Sequence, residues 1–215
     1  MRVTNDVYAL DSTKGNYAYL ILDESILVDT GRPGQGKGIL KELESLNIKL
    51  DEIKRILITH HDIDHIGNLA LLEKRTSASI WASKEDIPYI CNDKYRPGIK
   101  KLFSWIMKVK KPENINSYPE DLKIGDIEVI PTPGHTPGHV CLLYDDVLFA
   151  GDLLRTSKGQ LGPMASFMNW NTYISMESAK KVADYHFEWI CPAHGEPIKR
   201  DGQLESYINT NRKSD

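Results

Sequence analysis

Between Thr59 and Gly67 the chain reads Thr-His-His-Asp-Ile-Asp-His-Ile-Gly, so the six residues His60 to His65 hold three imidazoles and two carboxylates. Groups of these types packed so closely repel one another or stay partly protonated unless a cation holds them. The stretch therefore predicts a metal site. Three later segments each end in one more donor: His135 in Pro133-Gly-His135-Thr, Asp152 in Gly151-Asp152, and His194 in Pro192-Ala-His194-Gly.

The elements that must position these donors follow from the apolar pattern. Ile53-Lys-Arg-Ile-Leu-Ile58 reads as a buried strand entering a turn, and His65 to Glu73 has helical spacing through Ile66, Leu69, Ala70 and Leu72. The first cluster is thus expected on a strand-to-helix loop, at the carboxyl end of a strand, where open α/β sheets place their ligands. Upstream, Val7–Leu10, Asn16–Leu22 and Ser25–Asp29 read as short strands, and Gly36 to Asn47 as an amphipathic helix. Asp29 reads equally as an acceptor orienting a ligand imidazole or as a simple Asx turn. Ala78–Ala82 is a further strand, giving a β-α-β-α-β order.

Residues 84–118 interrupt that rhythm and are expected to form a helical insert, with helices over Glu85–Cys91 and Ile99–Val109. From Lys84 to Lys111 eight basic and three acidic residues give +5, which leaves −8 for the rest of a chain of net charge −3. The insert reads as a cap on the core, as a lid whose lysines attract anionic substrates, or as a basic amphipathic surface for a membrane or a partner. Beyond it, Gly125–Ile130, the hairpin Val140–Tyr144 with Val147–Ala150, and Phe187–Cys191 read as strands, and Ile174–Tyr185 as a helix. The span Ser157 to Tyr173 reads as a loop in which Asn169, Trp170 and Asn171 line a pocket or only order the backbone.

At 215 residues, with 40% hydrophobic and 27% charged residues, the composition is that of a globular chain able to bury a large core, read here as one domain. The slight negative charge gives no basic field for nucleic acid, and no apolar run reaches membrane-spanning length. The start shows no signal-peptide pattern, and the three scattered cysteines (Cys91, Cys141, Cys191) read as reduced core thiols, so the expected location is cytoplasmic.

Taken together, Thr59-His60-x-Asp62-x-Asp64-His65, Pro133-Gly-His135-Thr, Gly151-Asp152 and Pro192-Ala-His194-Gly resemble the metallo-β-lactamase superfamily, over nearly the whole chain. The resemblance implies an α/β architecture, the four-layer αβ/βα sandwich of that fold, with helices outside. It also implies two divalent ions: His60 and His135 on the first, Asp64, His65 and His194 on the second, and Asp152 bridging. Where the family carries a third histidine this chain has Asp62, taken as a ligand of the first ion. His61 and His139 are left out of the ligand set, and His186 is read as an ordinary histidine. Zinc is the first expectation; the harder carboxylate at Asp62 admits iron or manganese.

The implied activity is metal-dependent hydrolysis of an ester, lactone or thioester, with Asp64 as the catalytic residue that also holds the attacking hydroxide in line. Tyr173 is a candidate for the acid that protonates the leaving group. The alternative is an iron-dependent oxidoreductase, either persulfide dioxygenase-like or a flavodiiron-like diiron module. A sequence ending soon after His194 is not expected to carry the C-terminal helical domain of hydroxyacylglutathione hydrolases. The partner expected is a small-molecule substrate, with no nucleic acid and no stable membrane insertion, and with a homo-oligomer left open.

Overall fold

The computed structural model describes residues 1–94 and 109–211. The chain divides into two compact units, Met1–Tyr118 and Pro119–Asp215. In the first unit, β1 (Val7–Ala9), β2 (Tyr19–Ile21), β3 (Ile26–Val28), β4 (Arg55–Leu57), β5 (Ser79–Ala82) and β6 (Asn116–Ser117) lie side by side in that order. The first three pair antiparallel, and β3 to β6 pair parallel. Parallel neighbours need crossovers. Helix α1 (Gly36–Ser45) follows β3, α2 (Ile63–Ile66) and α3 (Leu69–Thr76) follow β4, and α4 (Ile87–Ile90) follows β5. Ile39, Leu40 and Leu43 of α1 and Leu69 and Leu72 of α3 are buried in one cluster with Leu27, Ile56, Ile58 and Ile80. Each fully buried Leu or Ile is worth about 1.5–3 kcal/mol. That face, more than helix propensity, holds helices as short as these.

The register of the parallel strands sets up chemistry. Val28 pairs with Leu57, and Leu57 with Trp81. Asp29-Thr30, Ile58-Thr59 and Ala82-Ser83 therefore leave neighbouring strands level with one another.

In the second unit, β7 (Lys123–Ile124), β8 (Ile127–Pro131), β9 (Val140–Tyr144) and β10 (Val147–Gly151) form an antiparallel run. A two-stranded ribbon, β11 (Arg155–Ser157) with β12 (Gln160–Gly162), comes next, then α5 (Thr172–Ala183). Strand β13 (Trp189–Pro192) pairs parallel with β10 and antiparallel with β14 (Ile198–Lys199), and α6 (Gln203–Asn211) closes the unit. Ala179 and Val182 of α5 and Leu204 and Ile208 of α6 are buried in one cluster with Leu148, Ala150 and Ile190.

Several boundaries differ from the sequence reading. The helix expected over His65–Glu73 is two helices, broken at Gly67-Asn68, and the first begins at Ile63, so Asp64 sits in α2 with His65 rather than on the loop before it. A side chain on Gly67 would come within 2.3 Å of the Pro33 nitrogen, and the Asn68 side chain is pinned by four hydrogen bonds to residues 30–36, so the chain turns there. The span read as a loop from Ser157 includes the β11–β12 ribbon. Segment 84–118 contains α4 and β6. Its expected helix Ile99–Val109 lies, apart from Val109, outside the described residues, as do Lys100, Lys101 and Lys108 of the proposed lid. Cys141 and Cys191 are buried thiols and Cys91 is partly buried. Among the described residues no helix is long and apolar enough to cross a membrane.

Candidate functional site

In the first unit, β4 delivers Thr59 to Asp62 as the entry to α2. Asp62 is the residue preceding that helix, in extended conformation (φ −67°, ψ 149°), yet its carboxylate makes no capping bond. Instead Oδ2 stands 3.6 Å from His60 Nε2. Asp64 and His65, adjacent on α2, offer ligand atoms within 4.8 Å of each other.

Asp29, at the end of β3, decides how the histidines present themselves. It takes a left-handed conformation (φ 59°), uncommon for a residue other than glycine. Its carboxylate accepts from the Thr59 N–H (2.9 Å), the Thr59 hydroxyl (2.7 Å) and His65 Nδ1 (2.8 Å). The hydroxyl proton of Thr59 is therefore spent on Asp29, and its oxygen accepts from His60 Nδ1 at 3.1 Å. Both imidazoles then carry their proton on Nδ1 and turn Nε2 outward as a donor atom. Asp29 thus acts as an acceptor orienting imidazoles; the Asx-turn alternative falls away.

Other contacts hold this array in place. Thr30 donates its N–H (2.7 Å) and hydroxyl (2.8 Å) to the His65 carbonyl, and Asn16 Nδ2 donates to the Asp64 carbonyl at 2.6 Å. The Tyr118 hydroxyl donates to the Ile58 carbonyl at 3.0 Å. Burial, with the charge of Asp29, pushes the Tyr118 phenol well above its usual range, so it stays a donor. His61 is buried and faces the segment after β5. Its N–H and Nδ1 both lie 3.0 Å from Asp86 Oδ2, and its ring stacks on Tyr89 at 4.4 Å and 17°.

In the second unit, three loops leave one edge of the sheet. The β8–β9 loop carries His135, Asp152 follows β10, and His194 follows β13. Asp152 Oδ2 faces the Nε2 atoms of both histidines, 3.3 Å from His135 and 3.4 Å from His194. Asn169 Oδ1 accepts from His135 Nδ1 at 2.9 Å, which fixes that imidazole with Nε2 toward Asp152. His139 has another task. Its Nε2 accepts the Asp152 N–H (3.1 Å), so its proton lies on Nδ1, which donates to Thr132 Oγ1 (2.9 Å). Gly134 must be glycine, because at φ 137° a side chain would stand 2.3 Å from the Ser175 backbone. Asn171 caps α5 by accepting the Ile174 N–H, and Trp170 N–H donates to the His135 carbonyl. Tyr173, in the first turn of α5, is 67% exposed, and His186 is exposed.

Within the first unit His60 thus lies beside Asp62, and Asp64 beside His65; within the second, His135 and His194 flank Asp152. The sequence reading missed Asp86 and Thr132. A sequence signal existed for Asp86, which follows a strand parallel to the one that ends before His60.

The family model described as Metallo-beta-lactamase superfamily matches residues 13–194. The chain belongs to the metallo-beta-lactamase superfamily. A probable metallo-hydrolase of Bacillus subtilis, YflN, is 26% identical over 80% of this chain and 76% of its own length. A hydroxyacylglutathione hydrolase of Shewanella loihica is 37% identical over 57% of this chain, a match that spans 40% of that protein. The structure of a subclass B3 metallo-beta-lactamase of Bradyrhizobium japonicum superposes with a TM-score of 0.73 at 22% identity, covering 100% of this chain and 90% of that one. The metallo-beta-lactamase fold, the αβ/βα sandwich implied by the motifs, is the fold of this chain. As a superfamily member it is a metallohydrolase-type enzyme.

Proposed function

We propose that this enzyme hydrolyses thioester, ester or lactone bonds of a small molecule with two divalent cations. His60, Asp62 and His135 would hold one, Asp64, His65 and His194 the other, and Asp152 both. The donor chemistry fits such ions: buried imidazoles and carboxylates are the ligand types that zinc and its first-row neighbours take. The observation that carries the reading is Asp152 Oδ2 facing two histidine Nε2 atoms at 3.3 and 3.4 Å, an oxygen placed to be shared. When bound, paired divalent cations supply hydroxide near neutral pH and polarise the carbonyl under attack.

The chain's own residues have defined tasks in that scheme. Asp29 and Thr59 hold His60 and His65 with Nε2 outward, Asn169 does the same for His135, and His139 fixes the backbone of Asp152. Asp64, the proposed catalytic residue, aligns the attacking oxygen. In the reaction a carbon–oxygen bond forms between that oxygen and the carbonyl carbon. The bond from carbon to the leaving sulfur or oxygen breaks, and the leaving group departs with its electron pair and takes up a proton. The relative named a hydroxyacylglutathione hydrolase, a thioesterase by its name, supports thioesters as the first class to try. The iron oxidoreductase alternative rests on the Asp62 carboxylate, and the relatives named above are hydrolases by name. Zinc is the proposed metal, with iron or manganese admitted by Asp62, and the cytoplasm the proposed location.

The test is a panel of thioesters, lactones and phosphodiesters, assayed with protein of measured metal content. Close to two ions per chain are expected, with thioester or lactone turnover lost to a chelator and regained with added zinc. No turnover of any carbonyl substrate by the two-ion protein, or no more than one ion after supplementation, would overturn the reading.

A further inference from the structure

The second unit exposes its aromatic side chains in one place. Phe167 is 72% exposed, Trp170 50% and Tyr173 67%, and among the described residues these are all of the exposed aromatics. Single exposed apolar residues need no explanation, but three large exposed rings within seven residues of sequence concentrate apolar surface in one segment, and such surface marks binding sites. The stretch from Gln160 to Met176 also contains no Asp, Glu, Lys, Arg or His. A charged ligand group would find no partner in it.

This segment is built onto the site. Asn169, between Phe167 and Trp170, accepts from His135 Nδ1 at 2.9 Å. Trp170 N–H donates to the His135 carbonyl at 3.0 Å, and Asn171 N–H to the Gly134 carbonyl at 2.8 Å. A helical turn over Ser166–Met168, with Met168 N–H on the Ala165 carbonyl, fixes the approach. Tyr173 lies in the first turn of the helix that Asn171 caps. The rings are therefore carried on a segment whose backbone and Asn169 side chain are bonded to a proposed ligand histidine and its neighbour.

We propose that Phe167, Trp170 and Tyr173 form an apolar subsite that binds the acyl portion of the substrate, selecting uncharged, medium-chain or aryl acyl groups. The proposal rests on the hydrolase reading above. It names the part of the substrate that the donor set leaves undefined. Selectivity follows from burial of ring and acyl surface together, which grows with each methylene.

The experiment compares acetyl, butanoyl and octanoyl thioesters of one thiol, hydrolysed by the full-length, metal-loaded enzyme and by F167S, W170S and Y173S variants. These side chains are exposed, so the variants should fold; circular dichroism and metal content verify this. In the parent enzyme kcat/KM should rise with acyl length. In W170S the octanoyl-to-acetyl ratio should fall about tenfold, with smaller falls in the other two. A ratio that is flat in the parent, or unchanged in all three variants, overturns the subsite and leaves the hydrolase reading standing. If no thioester is turned over, the hydrolase reading is what fails. Octanamide, neutral and not hydrolysed, then decides the subsite by ligand-observed NMR. Octanamide binding that acetamide lacks and that W170S abolishes supports it; equal signals from parent and W170S overturn it.

Discussion

Replacing Asp29 by Asn tests how the histidines are set without touching a proposed ligand. The carboxylate accepts three hydrogen bonds, from Thr59 N–H, Thr59 Oγ1 and His65 Nδ1, at 2.9, 2.7 and 2.8 Å. An asparagine offers one acceptor oxygen and one NH2 group. If its oxygen keeps the Thr59 N–H, the NH2 faces the Thr59 hydroxyl and His65 Nδ1, donors against donors. The relief is for His65 to move its proton to Nε2 and for the Thr59 hydroxyl to turn toward His60 Nδ1. That drives His60 to the same tautomer. Both imidazoles would then hold a proton where a cation must bind. Loss of one such orienting partner typically costs 10–100-fold in metal affinity, about 1.4–2.7 kcal/mol. Since one carboxylate here controls two rings, the upper end is expected, about 100-fold. Asparagine tolerates the left-handed backbone at φ 59°, so strain does not confuse the result. Chelator competition measures the affinity, and long-range 15N–1H spectra of metal-free protein read the tautomers. Affinity within threefold of the parent, with Nδ1 still protonated on both rings, would refute the reasoning.

Three further outcomes are expected. Asp62→His should raise the ratio of zinc to iron or manganese in protein from matched growths, because imidazole replaces a hard oxygen donor; an unmoved ratio means that Asp62 is not a ligand. Gly134→Ala should cost about 2 kcal/mol more than Gly15→Ala, roughly 4–8 °C in Tm by calorimetry on metal-free protein. Both glycines have positive φ, but only the first would push a side chain into backbone, that of Ser175 at 2.3 Å. Burial pushes the Cys141 thiol up to about 12 and raises that of Cys191 strongly, so iodoacetamide at pH 8 should modify Cys91 alone in the native protein. Mass spectrometry showing adducts on Cys141 or Cys191 without unfolding would contradict this.

The long elements were legible because burial is periodic in them. Ile39, Leu40 and Leu43 mark α1, and the Ile53–Ile58 run marks the strand buried between two parallel neighbours. What stayed hidden was too short to carry a period. Strands β6, β7 and β14 have two residues each and exist only through their partners. The break between α2 and α3 was hidden for a different reason. Local spacing favours one helix from His65 to Glu73, and a loop some thirty-five residues earlier overrides it by closing on Gly67 and Asn68. In the site, donor types at strand ends were legible, whereas the groups that orient them were not. Asp29 and Thr59 are far apart in sequence, as are Asn169 and His135, and only sheet register or loop packing joins them.

His135 and His139 make the remaining distinction physical. They stand four residues apart in one proline- and glycine-rich loop, and residue type alone cannot separate a ligand from a structural group. The ring contacts do. His135 gives Nδ1 to Asn169 and turns Nε2 to Asp152 Oδ2. His139 gives Nδ1 to Thr132, and its Nε2 accepts the Asp152 N–H, because the β9–β10 register sets the residue before β9 against the residue after β10. An imidazole with both nitrogens bonded to protein has no lone pair left for a cation. It can still serve the proposed centre indirectly, since the bond to the Asp152 N–H fixes the backbone from which the carboxylate proposed as shared projects. In the proposed centre His135 would bind a cation, whereas His139 holds the Asp152 backbone.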